Sequence, residues 1–146
     1  MSFFKKLFSS PKSDQQVNEA PKSEEPDLAI LPGNGEFDLQ VVGESHYQEA
    51  LETICGPRTR QGVQQEHTAL LILEDHNPYD KKAVRVEIDG KQVGYLSREV
   101  AKLYRQQLKA GGMPKANGQC QALIKGGWER GDNKGSYGVW LDIPVQ

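Results

Sequence analysis

The sequence predicts an α+β fold that is mainly β, with about six strands and two helices. Three observations predict it. Several short runs alternate apolar and polar residues, the period of a half-buried strand. Two stretches carry apolar residues at helical spacing, and each begins at a serine suited to cap a helix. Between two of the alternating runs stands Asp89-Gly90, a strong two-residue hairpin signal, because both positions tolerate the positive backbone angles of such a turn.

Met1–Ser10, MSFFKKLFSS, places Phe3, Phe4, Leu7 and Phe8 on one helical face and Lys5 and Lys6 on the other. So short a helix is marginal alone in water. It docks on an anionic membrane surface, enters a groove on a partner protein, caps its own domain, or stays an unstructured leader. Residues 11–35 are rich in Pro, Ser, Glu, Asp and Gln, with almost no apolar residue before Leu28. Such a segment buries too little surface to offset its ordering entropy, and it reads as a disordered linker.

The folded domain is expected over residues 36–146. Phe37, Leu39 and Val41 alternate in a first strand ending at Gly43. Ser45 and Gln48 spell a capping box, which predicts a helix from His46 to about Thr53 or Ile54, closed by Gly56-Pro57. Arg58 to Glu66 reads as a polar loop. Ala69–Leu73 is a short apolar run, read as a central strand. Val84, Val86 and Ile88 alternate in the next strand, and Gln92–Leu96 returns after the Asp89-Gly90 turn. Ser97 caps a second helix, Arg98 to about Ala110, with Val100, Leu103, Tyr104 and Leu108 as its buried stripe. Arg98, Lys102, Arg105 and Lys109 line an exposed stripe of the same helix. Cys120–Ile124 and Tyr137–Ile143 complete the strands, joined by a polar hairpin tip, Trp128–Gly135.

Lys plus Arg total 18 against 20 Asp plus Glu, a net charge of −2, which excludes a broad basic surface that coats a polyanion. Any nucleic-acid contact must therefore be local. Cys55 and Cys120 match no metal-ligand spacing and make no disulfide framework. Without a signal peptide or a membrane-length apolar run, a cytoplasmic location is expected.

The stretch Asn77–Leu96, NPYDKKAVRVEIDGKQVGYL, and the upstream Val41–Tyr47, VVGESHY, resemble the HIRAN domain. The resemblance runs from roughly Phe37 to Ile143 and is sharp in these two blocks. It implies a small β-barrel related to OB and SH3-like barrels that binds single-stranded DNA and captures a 3′-hydroxyl end. Carried over by position, it implies an end-binding turn of Asn77, Tyr79 and Asp80. Tyr47 would line or stack, Tyr95 stands where relatives have a polar ring, and Arg98 would meet phosphate. Trp128 would offer a further stacking face. Where helicase-type members have a basic and an aromatic residue before Tyr47, this chain has Ser45 and His46.

The residues carry a logic of their own. Aromatic faces stack bases of any sequence, and basic side chains, including Lys102 one turn beyond Arg98, take phosphates. A carboxylate at Asp80 would accept a bond from a terminal hydroxyl and repel a terminal phosphate. The free N–H groups of the first helix would offer an anion site beside Ser45. Bland readings stand beside these: NPYD as a plain tight turn with Asp80 bonded to local backbone, and the basic stripe as a solvated face.

Enzyme readings are weaker. Asp80 with Asp89-Gly90-Lys91 imitates a nuclease spelling, but a strand of roughly 25 Å separates them. His46, Asp75, His76 and Asp80 lack the tight helical pair of a strong metal signal. The expected protein is a non-enzymatic monomer without metal or cofactor that binds single-stranded DNA or DNA 3′ ends in replication or repair. The alternative is an adaptor whose groove takes a peptide or acidic partner.

Overall fold

A computed structural model describes residues 28–143. The amphipathic peptide Met1–Ser10 and most of the expected linker lie outside the described residues. The elements in order are β1 (Leu28–Ile30), β2 (Leu39–Gln40), a 3₁₀ turn (Glu44–His46), α1 (Gln48–Cys55), β3 (Val63–Leu73), β4 (Val84–Ile88) and β5 (Lys91–Tyr95). They continue with α2 (Arg98–Ala110), β6 (Asn117–Gly126), β7 (Glu129–Arg130), β8 (Asn133–Lys134) and β9 (Tyr137–Leu141).

The fold is mainly β, as expected: one curled sheet of half-barrel form, ordered β2-β9-β6-β3-β4-β5, with two helices among the described residues. Curling is far enough that the end strands meet. Val42, just past β2, exchanges two backbone hydrogen bonds of 2.9 Å with Tyr95 of β5. The inner face holds Val41, Ala69, Leu71, Val84, Val86, Ile88, Val93, Ala122, Ile124, Val139 and Leu141, all buried. Each large apolar side chain there contributes on the order of 1.5–3 kcal/mol. Leu51 of α1 and Ala101, Tyr104 and Leu108 of α2 add to the same core.

The hairpin of β4 and β5 is as the sequence spelled it. Asp89 and Gly90 take φ of 53° and 76°, the two positive angles of its tight turn. Ser97 caps α2, its hydroxyl accepting the Val100 N–H at 3.2 Å.

Elsewhere the structure corrects the expectations. Residues 28–35, read as linker, join the fold: β1 pairs parallel with β6, and Ala29 and Leu31 are buried. The reason is polar. The buried Asp142 carboxylate accepts N–H groups of Asn34 and Gly35 at 3.0–3.2 Å, and of Phe37 at 3.4 Å, tying a segment with few apolar residues to the end of β9. β3 starts at Val63, well inside the expected polar loop, because its outward positions face water. The Ser45 capping box does not form. Gln48 instead donates to the Glu44 and Tyr137 carbonyls and accepts the Tyr137 N–H at 2.8 Å, pinning the start of α1 to β9. Leu103 leaves the buried stripe of α2 and is 37 % exposed; Ala101 takes its place.

Barrel closure rests on a close approach at Gly94, whose φ is 155°. A Cβ there would collide with the Val41 side chain and come within 2.6 Å of the Val42 carbonyl oxygen. Gly94→Ala is therefore expected to destabilise the protein by about 2–4 kcal/mol, combining backbone strain with overpacking. A guanidinium unfolding curve measures it; an unchanged midpoint would show that the strands do not meet there.

Candidate nucleic-acid interface

The polar turn Asn77–Asp80 lies in the connection between β3 and β4, and Glu74 is its foundation. The Glu74 N–H donates to the Ala83 carbonyl at 3.0 Å, closing the loop at its base. The Glu74 carboxylate then receives three donors: Asn77 Nδ2 at 2.9 Å, Arg85 Nη1 at 2.7 Å and the Tyr95 hydroxyl at 3.0 Å. Burial alone would raise this carboxyl, but those hydrogen bonds and the Arg85 charge hold it below its ordinary value. Arg85 also bonds Glu87 at 2.9 Å, so its own position is fixed.

With its amide nitrogen held by Glu74, Asn77 turns Oδ1 into the loop. That oxygen accepts the N–H groups of Tyr79 at 2.8 Å and Asp80 at 3.0 Å. The result is an Asx turn that leaves Tyr79 86 % exposed, the largest exposure among the large hydrophobic residues described. Asp80 Oδ1 accepts the Lys82 N–H at 2.9 Å, and Oδ2 lies 3.6 Å from Arg98 Nε. The local-backbone reading of Asp80 thus holds for one oxygen. The other faces an arginine beyond hydrogen-bond length. Arg98 also donates to the Tyr79 carbonyl at 3.2 Å.

The structure therefore brings Asn77, Tyr79, Asp80, Tyr95 and Arg98 into one cluster. The Tyr47 ring meets His46 edge-on at 6.4 Å. Lys102 is exposed one turn beyond Arg98 on α2.

Three expectations are corrected. Ser45 does not cap α1, so the capping box on which the expected helix-end anion site rests is absent. Ser45 lines a groove with Gln40, Lys125 and Trp140. Arg105 is not a free member of the basic stripe: it donates to Asp75 at 2.8 Å and to the Lys82 and Ala83 carbonyls at 2.9 Å, clamping the loop from α2. The Arg105 hydrogen bond holds the Asp75 carboxyl below the usual range. Trp128 lies at the other end of the sheet. Val63, not Leu73, pairs with Gly126 beside it, which puts roughly 30 Å of β3 between Trp128 and the turn. Arg130 covers one face of its ring at 4.6 Å.

The four metal candidates do not gather: among the described residues no three His, Cys, Asp or Glu side chains form a cluster able to hold an ion. Burial pushes the Cys55 thiol up to about 11 and Cys120 to about 12, so neither ionises near neutral pH. Glu74 was invisible as a site residue. Its only sequence signal is its place three residues before Asn77.

Because folding lowers the Glu74 pKa, its stabilisation is complete above the unfolded value of about 4.5 and is lost as pH falls below it. Glu74→Gln is expected to cost about 1–3 kcal/mol at neutral pH and to flatten the loss of stability on acidification. Urea midpoints across the acid range measure both. Parallel pH curves for the two proteins would remove Glu74 from this role.

The HIRAN domain family model matches residues 34–118, more than half of the chain. No curated protein and no solved structure matches the chain. With the turn, hairpin and second helix of the matched region in place, the chain belongs to the HIRAN domain family, a family of nucleic-acid-binding modules.

Proposed function

We propose that this protein binds single-stranded DNA and recognises 3′-hydroxyl ends at the Asn77–Asp80 turn, acting by binding rather than by chemistry. One observation carries the reading: an aromatic ring left almost fully in solvent by a rigid turn, with a carboxylate and an exposed arginine beside it. Solvating a tyrosine on so constrained a loop wastes burial energy unless a planar ligand covers it. Tyr79 would stack the terminal base, and Tyr47 and Tyr95 would line the next position. Arg98 and Lys102 would meet the phosphates. Asp80 Oδ2 would accept the terminal hydroxyl. The family membership supports the class of ligand; the specificity for an end rests on Asp80.

Titration with labelled oligonucleotides tests it. A 3′-hydroxyl strand should bind more tightly than the same strand with a 3′-phosphate, and affinity should fall with salt. Tyr79→Ala is expected to weaken binding by ~1–3 kcal/mol. Asp80→Ala should narrow the difference between the two ends. Equal binding of both ends by the wild type would leave a nucleic-acid binder without end recognition. No binding of any oligonucleotide, together with capture of an acidic peptide, would favour an adaptor.

A further inference from the structure

On the outer face of β6 and β9 runs an open groove of about 440 Å³. Trp140 forms its floor. The indole lies over Gly138, where a Cβ would come within 2.7 Å of the ring, so this glycine lets the ring lie flat along the sheet. Lys125, paired with Gly138 across the two strands, carries its ammonium 4.7 Å from the centroid of the Trp140 ring. Gln40, Ser45 and Glu44 stand at the rim. A half-buried tryptophan with an exposed cation on its face suits a nucleotide: the base would take the ring and the ammonium would meet the phosphate.

The strand pairing brings the groove within reach of the proposed end site. Trp140 pairs with Gln40, Val42 follows Gln40 on the same face, and Val42 pairs with Tyr95. Strand spacing and rise put Trp140 roughly 12 Å from Tyr95, a gap that a few nucleotides of one strand span. Trp128 suits this role less well: the Arg130 guanidinium over its ring donates to the Arg60 carbonyl at 3.0 Å, whereas Lys125 is exposed.

The geometry points to Trp140 and Lys125 as a second nucleotide subsite, taking a base and its phosphate from the strand several positions inward of the end. This inference rests on the single-strand reading and extends it by a defined length of DNA. Glu44 at the rim works against a second phosphate there, so the subsite takes one nucleotide rather than a continued track.

Two measurements test it on the full chain. Trp140→Ala should weaken an eight-nucleotide 3′-hydroxyl strand about tenfold more than it weakens a dinucleotide, the fold-change of one lost stacking contact. Lys125→Gln should do the same to a smaller extent and reduce the salt dependence. Separately, in Trp128→Phe the remaining tryptophan reports on the groove: its fluorescence should be quenched by the long strand and unchanged by the dinucleotide. Equal weakening of both lengths, or no quenching by a long strand that binds, overturns the subsite while leaving end recognition intact. Failure of the wild type to bind any strand overturns the subsite and the end site together.

Discussion

The Glu74 carboxylate is the constraint from which the rest of the site follows. It sits where β3 ends, and three separate segments donate to it: the turn through Asn77, β4 through Arg85 and β5 through Tyr95. A connection of this length between two strands would otherwise keep much of its conformational entropy. The charge-assisted hydrogen bonds offset that loss at one point. They also decide a rotamer. Asn77 can aim Oδ1 at two backbone N–H groups because its nitrogen is already taken, and the direction of Tyr79 depends on that choice.

The same economy sorts the cations. Arg85 and Arg105 are consumed by the scaffold, the first beneath the turn and the second across its base. Their side chains are 28 % and 17 % exposed, against 78 % for Arg98. A chain with a net charge of −2 has no general attraction for a polyanion. Among the cations that the fold leaves exposed, Arg98 and Lys102 lie near the turn and Lys125 lies over Trp140.

Much of the fold was legible because local chemistry and global packing agree at those elements. Asp89-Gly90, the β4 alternation and the Ser97 cap each specify one conformation, and each is found. The failures have physical causes. Val63–Glu66 reads as loop because its residues are mostly polar, yet pairing to β6 satisfies their backbone regardless of side chain. Ser45 and Gln48 spell a capping box, but Gln48 finds three backbone partners across the fold, and a local motif cannot compete with that. β1 hides in a polar stretch because what anchors its neighbourhood is Asp142, more than a hundred residues away in sequence. The candidate site was legible at Asn77, Tyr79, Asp80 and Arg98, where spelling and geometry coincide. That Trp128 lies far along β3 from the turn was not legible, because a sequence does not say which end of a strand meets which turn.

The relation of Asp80 to Arg98 bears on strand polarity as well as affinity. The two charges lie 3.6 Å apart, with Asp80 the more sheltered partner and Arg98 largely exposed while it donates to the Tyr79 carbonyl. A phosphodiester approaching this pair gains from Arg98 if it can stay away from Asp80. A terminal phosphate, which carries more charge and sits at the tip, cannot avoid it. In the proposed reading the pair therefore acts as a fixed dipole rather than a point charge. It favours one orientation of the strand, hydroxyl toward the carboxylate and backbone toward the guanidinium. A 5′ end presented to the same turn would reverse the order of hydroxyl and phosphodiester along the sugar and lose that match. In that reading the discrimination needs no base-specific contact, only a carboxylate whose other oxygen accepts the Lys82 N–H and is so held near the end it repels.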